Sequence, residues 1–156
     1  MLPEGRISDL RPVLVIEDCD DDFDTVVVAA TRANVANRLV RAASAEEAGG
    51  ILARSPSGSF SFVLLDYNLP GMNGLDFLES ARRDRLLVDL PTVVLTTSVN
   101  PSDRVLFQAA GATAFHVKSV AHTDCLQTLA SIFDRWLNQA LRPNDVEAPV
   151  AVRRLT

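Results

Sequence analysis

Five short apolar runs rich in β-branched residues alternate along the chain with segments whose apolar residues recur at helical spacing. The runs predict strands and the segments between them predict helices. Strands that alternate with helices form a parallel sheet, because each helical crossover returns the chain in the same direction. We therefore predict a doubly wound α/β fold with helices on both faces of the sheet. The predicted strands span residues 11–17, 38–43, 62–66, 92–96 and 114–117.

The predicted helices occupy the segments between and after these strands. Ser44 and Glu47 have the spacing of a capping box, although Gly49 and Gly50 weaken the helix that follows. Asn100 precedes Pro101, which is tolerated at the first position of a helix. The last helix carries an apolar stripe made by Leu126, Leu129, Phe133, Trp136, Leu137 and Ala140. Three of the predicted helices span residues 23–35, 75–83 and 122–141; one more begins at Ser44 and another begins with Pro101 after the Asn100 cap.

Length, charge and cysteine usage restrict the class of protein. A chain of 156 residues with 47% hydrophobic residues predicts one globular domain, which we place at residues 11–141 between an N-terminal extension (1–10) and a tail (142–156). The net charge of −5 argues against a nucleic-acid partner. Without a long apolar stretch we expect no membrane span or signal peptide. The two cysteines, Cys19 and Cys125, lie far apart in the sequence and are expected to be reduced thiols. Because reduced thiols are typical of the cytosol, we expect a cytoplasmic protein.

Polar side chains stand where four of the predicted strands end. Glu17 and Asp18 follow the first strand, Asp66 ends the third, Thr96 ends the fourth and Lys118 follows the fifth. In parallel sheets the carboxyl ends of the strands lie at one edge, where binding sites form. Three neighbouring carboxylates repel one another and predict a bound cation, for which Mg²⁺ suits hard oxygen ligands. A carboxylate can attack phosphorus, and a lysine and a hydroxyl can stabilise the transferring group.

Each of these residues also has an ordinary structural interpretation. Acidic residues after a strand commonly cap the next helix, and a threonine in a strand reflects β propensity. We interpret Asp20, Asp21, Asp22 and Asp24 mainly as solvated charges that favour a helix N-terminus. His116 and His122 lack a partner at zinc-ligand spacing and are expected to be structural or exposed. The prediction of a site therefore depends on the joint occurrence of the residues at successive strand ends.

Four motifs in order resemble the response-regulator receiver family of two-component signalling. They are VLVIED (13–18), VLLDYNLPGMNG (63–74), PTVVLTTS (91–98) and GATAFHVKS (111–119). The resemblance implies a flavodoxin-like five-stranded sheet in the order 2-1-3-4-5.

The same resemblance implies a role for each matched residue. Asp66 becomes the phosphoacceptor, and Lys118 pairs with a phosphoryl oxygen. Glu17 and Asp18 form the acidic pocket that binds Mg²⁺ with Asp66 and the backbone carbonyl of Asn68. Thr96 is the switch hydroxyl, and the ring of Phe115 moves inward when Thr96 turns toward the phosphoryl group.

The chain departs from the common family pattern at three positions. Ser119 stands where many members have proline, so that a cis bond after Lys118 would cost about 2.5–4 kcal/mol and the loop is expected to differ or be strained. Thr97 replaces a small residue and is expected to crowd the phosphate, and Phe115 lacks a tyrosine hydroxyl. We also hypothesise that Asn68 and Ser98 flank the path of the attacking water and set the phosphate lifetime.

Three further features resemble the single-domain regulators paired with phytochrome-type sensor histidine kinases. They are the LTTS motif, the Lys118-Ser119 pair and the long last helix with FDRW (133–136). This implies phosphorylation by a light-sensing kinase and a homodimer through the face built from the fourth helix, fifth strand and last helix. The long last helix and the outer position of Trp136 also favour the dimer, whereas a wholly intramolecular core is the alternative.

The function predicted from these residues is a Mg²⁺-dependent phosphoacceptor that signals through protein contact or onward phosphotransfer. The residues after the last helix are too few for a DNA-binding module. One alternative is a receiver-like binding module that takes no phosphate, against which the full set of site residues argues. The other is a phosphatase with an aspartyl nucleophile, but Asn68 stands where such enzymes carry a general acid.

Overall fold

A computed structural model describes residues 10–97 and 100–138. The predicted alternation of strands and helices is confirmed across this part of the chain. The elements in chain order are β1 (Val13–Ile16), α1 (Asp20–Arg32), β2 (Leu39–Ala42), α2 (Ala45–Arg54), β3 (Val63–Asp66), α3 (Gly74–Arg83), β4 (Thr92–Thr96), α4 (Pro101–Ala109), β5 (Ala114–Val117), α5 (His122–Phe133) and a π-helical turn (Asp134–Asn138).

The five strands form one parallel sheet in the order β2-β1-β3-β4-β5. This confirms the order that the family resemblance implied. The central strands β1, β3 and β4 are buried along their whole length, which explains their nearly continuous apolar sequences. The reversal of strand order lies between β1 and β3, and in sheets of this type binding sites form at the carboxyl edge beside such a reversal.

Helices cover both faces of the sheet, as predicted. One apolar core lies between the sheet and α2, α3 and α4, and includes Leu14, Leu78 and Phe107. The second lies between the sheet and α1 and α5, and includes Val15 and Phe133. Alternate residues of β1 therefore enter opposite cores, as the two-residue period of a strand requires.

The predicted helix caps are present with one difference in geometry. The Ser44 side chain accepts a hydrogen bond from the Glu47 amide at 3.1 Å, while Glu47 accepts from the Ala43 amide at 2.7 Å, one residue before the N-cap. Asn100 accepts from the Ser102 amide at 3.0 Å, and Pro101 occupies the first helical position. These bonds supply partners for amides that a helix leaves unpaired at its start.

The first and last helices differ from the predicted boundaries. Helix α1 begins at Asp20, three residues before the predicted start at Phe23, and its first turn consists of acidic residues that favour a helix N-terminus. It ends at Arg32 because Asn34 adopts a positive φ of 57°. Helix α5 ends at Phe133 and continues as the π-helical turn, whereas the prediction ran to residue 141; residues 139–141 lie outside the described residues.

The apolar stripe of the last helix is mostly intramolecular core. Leu126, Leu129, Phe133 and Leu137 are buried, and the ring of Phe133 packs edge-on against Phe62 with centroids 6.1 Å apart. Trp136 is half-buried against the same core, so the expected outer position of Trp136 is only partly confirmed. Ala140 and the predicted tail lie outside the described residues. No helix in the described ranges has the length and apolar character to cross a bilayer.

Candidate functional site

The predicted site residues meet at the carboxyl edge of the sheet. Asp66 ends β3 opposite Leu95, and Thr96 ends β4 opposite Val117. Both residues therefore lie at the carboxyl edge of the sheet. Glu17 and Asp18 follow β1, which pairs with β3. The parallel arrangement therefore brings together residues that are up to about a hundred positions apart in sequence, as the fold rule predicted.

Lys118 lies at the centre of this group. Its Nζ is 3.5 Å from Asp66 Oδ1, 3.6 Å from Glu17 Oε2 and 3.1 Å from Asp22 Oδ2. Its backbone amide donates to the carbonyl of Thr96 at 2.6 Å, which ties the loop after β5 to the end of β4. The side chain is 17% exposed, so its ammonium group interacts with these carboxylates with little screening by water.

Glu17, Asp18 and Asp66 form a cluster of carboxylates. One oxygen from each lies within 4.8 Å of the others, with Glu17 and Asp66 buried and Asp18 exposed. The three acids are accompanied by the single ammonium group of Lys118, which leaves excess negative charge in a buried place. Hard oxygen donors with excess negative charge fit a divalent cation such as Mg²⁺. The backbone carbonyl of Asn68 remains a predicted ligand.

Burial and mutual repulsion shift the ionisation of the group. Burial, with the neighbouring Asp66, raises the pKa of Glu17 to about 8. Burial also raises the pKa of Asp66, although Lys118 opposes the shift. Burial by itself lowers the pKa of Lys118, but the carboxylates of Asp66 and Glu17 reverse this and raise it above its ordinary value. The carboxyl group of Glu17 would thus hold a proton near neutral pH unless further positive charge were present.

The loop after β3 holds the Asp66 carboxylate through backbone bonds. The amide of Asn68 donates to Asp66 Oδ1 at 3.4 Å, and the amide of Tyr67 donates to the carbonyl of Leu95 at 2.9 Å. The amide of Gly74 in turn donates to the carbonyl of Tyr67 at 2.9 Å. The start of α3 therefore packs directly onto the backbone that follows Asp66.

Thr97 and Ser119, two of the departures from the family pattern, both make hydrogen bonds near the site. The Asn68 side chain donates to Thr97 Oγ1 at 3.3 Å, so the Thr97 hydroxyl binds a neighbouring residue of the site. No cis peptide bond occurs in residues 10–97 or 100–138, and the Ser119 side chain accepts from the Ala121 amide at 3.2 Å. Ser98, which we expected beside the water path, lies outside the described residues.

The predicted switch residues are both buried. Thr96 is fully inaccessible to solvent, and the ring of Phe115 packs against Phe107 with centroids 5.3 Å apart. Phe107 also contacts Tyr67, the residue after Asp66, at 5.0 Å, and the Arg104 guanidinium covers the Phe115 ring. Phe115 thus occupies an inward position in this structure, and its movement together with Thr96 stays a prediction.

Asp22 and Arg41 contact the site but were not assigned to it from the sequence. Asp22 lies in the acidic first turn of α1 and is half-exposed, which agrees with its interpretation as a charge that favours the helix N-terminus, but it also makes the shortest carboxylate contact to Lys118. Arg41 donates from Nε to the Glu17 carbonyl at 2.9 Å and pairs with Asp20 at 2.7 Å.

The histidines and cysteines agree with their ordinary interpretations. His116 is half-buried, and burial, together with Arg104, lowers its pKa. His122 is exposed at the start of α5. Neither belongs to the carboxylate cluster, which is the one group of possible metal ligands in the described ranges. Cys19 and Cys125 are both free thiols.

Comparison with known proteins agrees with this geometry. Residues 13–130 match the response regulator receiver domain. The chemotaxis protein CheY of Pseudomonas aeruginosa is 29% identical over 120 residues, which cover 74% of this chain and 93% of that protein.

Two solved structures resemble the protein in both fold and sequence. The phosphorylated cyanobacterial phytochrome response regulator RcpA has a TM-score of 0.75 and 25% identity, covering 83% of this chain and 95% of that one. The bacteriophytochrome response regulator AtBRR has a TM-score of 0.62 and 31% identity, covering 80% and 94%. The resemblance to phytochrome-associated regulators is therefore confirmed. With most of its length matched by the family profile, the chain belongs to the response-regulator receiver family.

Proposed function

We propose that the protein accepts a phosphoryl group on Asp66 from a phosphohistidine of a sensor histidine kinase. The observation that supports this most directly is the buried Asp66 carboxylate, with the Lys118 ammonium 3.5 Å away and the Glu17–Asp18 pair beside it. This arrangement places a nucleophile next to groups that stabilise the charge of a transferring phosphoryl group.

In the proposed reaction, an oxygen of the Asp66 carboxylate attacks phosphorus and forms a new P–O bond. The P–N bond to the kinase imidazole breaks, and its electron pair stays on the imidazole nitrogen. Lys118 donates to an equatorial oxygen of the transferring group, where negative charge accumulates. Water later attacks the aspartyl phosphate, which releases inorganic phosphate and restores the carboxylate.

Glu17, Asp18, Asp66 and the Asn68 carbonyl are the groups that would hold Mg²⁺. When bound, the cation supplies positive charge to the phosphoryl oxygens and relieves repulsion among the carboxylates. Glu17 is buried and accepts a bond from the Cys19 amide at 3.1 Å, so it is fixed in orientation, while the exposed Asp18 leaves the site open to solvent. This combination of a fixed ligand and an open side suits an exchangeable cation that keeps several waters.

Thr96 and Phe115 are proposed to transmit the change of charge. In the proposed switch, Thr96 turns its hydroxyl toward the phosphoryl group. Because Phe115 is already packed inward, phosphorylation would stabilise this position relative to an outward one, which is a shift of populations. Because Phe115 has no hydroxyl, the switch depends on packing.

The proposed kinase is of the phytochrome type, and the proposed location is the cytoplasm. Support comes from the similarity to RcpA and AtBRR, whose names associate them with phytochromes. We also propose a homodimer through α4, β5 and α5. This face exposes Val105 (63% exposed) and Leu106 (50% exposed), an apolar pair on the outside of α4.

Intact-protein mass spectrometry after incubation with Mg²⁺ and acetyl phosphate tests the phosphoacceptor. We expect one phosphoryl adduct in the natural protein and none in Asp66→Asn. Asp84→Asn, which removes an exposed carboxylate after α3, is the matched control and should keep the adduct. Absence of any adduct would instead support a binding module, and rapid repeated hydrolysis of phosphoesters would support a phosphatase.

A further inference from the structure

The residue nearest to the Lys118 ammonium belongs neither to the proposed acceptor nor to the carboxylate cluster. Asp22 Oδ2 lies 3.1 Å from Lys118 Nζ, closer than the oxygens of Asp66 (3.5 Å) and Glu17 (3.6 Å). The cluster that could hold a cation consists of Glu17, Asp18 and Asp66, without Asp22. The contact to Lys118 is therefore the interaction of Asp22 that bears on the site.

The first turn of α1 is held in place, so Asp22 has a defined position. Asp20 pairs with Arg41 at 2.7 Å, and Arg41 donates to the Glu17 carbonyl at 2.9 Å. The Asp22 side chain is 47% exposed, whereas Lys118 is 17% exposed. The pair thus joins the rim of the site on α1 to the loop after β5, 96 residues away in sequence.

Phosphorylation changes what Lys118 must bind. Before transfer, three carboxylates share its ammonium group. Afterwards an oxygen of Asp66 is bonded to phosphorus, and the attached phosphoryl group carries about −1.5 to −2 charge. The Asp22 carboxylate takes no part in the transfer, so it competes with the phosphoryl group for Lys118 and also repels an incoming anionic donor.

We propose that Asp22 is a positioning residue that holds Lys118 toward α1 and thereby slows the uptake of the phosphoryl group. The inference rests on the proposed function, because it assigns a role in the reaction at Asp66. A merely structural aspartate would leave the reaction unchanged or impaired when replaced, whereas removal of a competitor should accelerate it.

The test measures the rate of adduct formation with Mg²⁺ and acetyl phosphate. Asp22→Asn should react about two- to fivefold faster than the natural protein, the range expected for a partly exposed ion pair. The matched control is Asp21→Asn, which removes the same charge from an exposed neighbour in the same helical turn and should change the rate little. Equal rates for the two variants, or a slower Asp22→Asn, would overturn the proposal.

A double-mutant cycle with Lys118→Met tests whether Asp22 acts through Lys118. In that background Asp22→Asn should lose its advantage over Asp21→Asn. The same variants are also compared by urea unfolding in the presence of a chelator. Asp22→Asn should lower the urea concentration at the unfolding midpoint more than Asp21→Asn does, but only when Lys118 is present. Independence from Lys118 in the unfolding cycle would refute the inference. Failure of the natural protein to form an adduct would refute the proposed function instead.

Discussion

Gly74 occupies a place where even one methyl group would displace the backbone next to the acceptor. A Cβ at this position would lie 2.9 Å from Tyr67 Cα and 3.3 Å from the Asp66 carbonyl oxygen. Both contacts are with backbone atoms, which cannot rotate away as a flexible side chain does. Gly74 also donates to the Tyr67 carbonyl at 2.9 Å, so the start of α3 cannot simply move outward. We therefore predict that Gly74→Ala shifts the Asp66–Tyr67 backbone.

The expected effects of Gly74→Ala are on both stability and reaction rate. Overpacking of this kind costs about 1–3 kcal/mol of unfolding free energy. A displacement of the nucleophile by a few tenths of an ångström should slow adduct formation roughly tenfold, since a misplacement of 1 Å can cost about a hundredfold. Urea unfolding followed by circular dichroism measures the first effect, and the acetyl phosphate reaction measures the second.

Gly49 provides the matched control for this substitution. It lies within α2, and a Cβ there would have no neighbour within 4 Å. Gly49→Ala should therefore stabilise the protein by about 0.5–1 kcal/mol and leave the reaction rate unchanged. If Gly74→Ala behaves like Gly49→Ala in both assays, the close packing of α3 onto the acceptor loop does not restrain Asp66.

Three further predictions concern the cap, the core and the metal-free site. Ser44→Ala should lower the unfolding free energy by about 1 kcal/mol in urea titrations, while Ser57→Ala in an exposed loop should not. Phe133→Ala should cost about 3–5 kcal/mol in the same assay, because the ring is fully buried against Phe62. In a chelator, stability should fall as pH rises from 4.5 to about 8, because the folded state raises the pKa of Glu17 and therefore binds its proton more tightly than the unfolded chain. Glu17→Gln should flatten that profile and Mg²⁺ should restore stability at the upper end; parallel profiles for the two proteins would contradict the assignment.

Local sequence signals predicted the strands and the convergence of the site. Strands β4 and β5 have the predicted bounds, because buried β-branched runs bounded by turn residues leave little freedom in where a strand ends. The sequence predicted that Asp66, Thr96 and Lys118 lie close together, because the carboxyl ends of parallel strands lie at one edge of the sheet. Their convergence therefore followed from topology without knowledge of any side-chain conformation.

Features that depend on long-range contacts could not be predicted from the sequence. The Asp22–Lys118 pair joins residues 96 positions apart, and no local pattern distinguishes Asp22 from the exposed Asp21 beside it. The inward position of Phe115 depends on Phe107 and Arg104, which belong to another element. Helix α1 begins earlier than predicted because its first turn is acidic, whereas the apolar pattern starts only at Phe23. Tertiary electrostatics or packing thus determined the first two features, whereas the start of α1 follows from a local acidic turn that the apolar spacing does not include.

The buried polar groups at the two edges of the sheet differ in charge, and the difference supports the proposed reaction at the carboxyl edge. At the amino ends of the strands, the buried Ser61 and Thr92 hydroxyls donate to the carbonyls of Pro12 and Leu90 at 3.2 and 3.3 Å. Neutral groups of this kind are satisfied by neighbouring backbone.

At the carboxyl edge, the buried groups include the carboxylates of Glu17 and Asp66, whose charge the single ammonium of Lys118 does not balance. Burial there raises the pKa of each carboxylate, and binding of further positive charge would lower the free energy of the folded state. A divalent cation would reduce this imbalance, and in the proposed reaction it would also reduce the repulsion between Asp66 and an anionic phosphoryl donor. The buried carboxylates at this edge are thus only partly compensated by positive charge, as expected for a functional site where the proposed chemistry occurs.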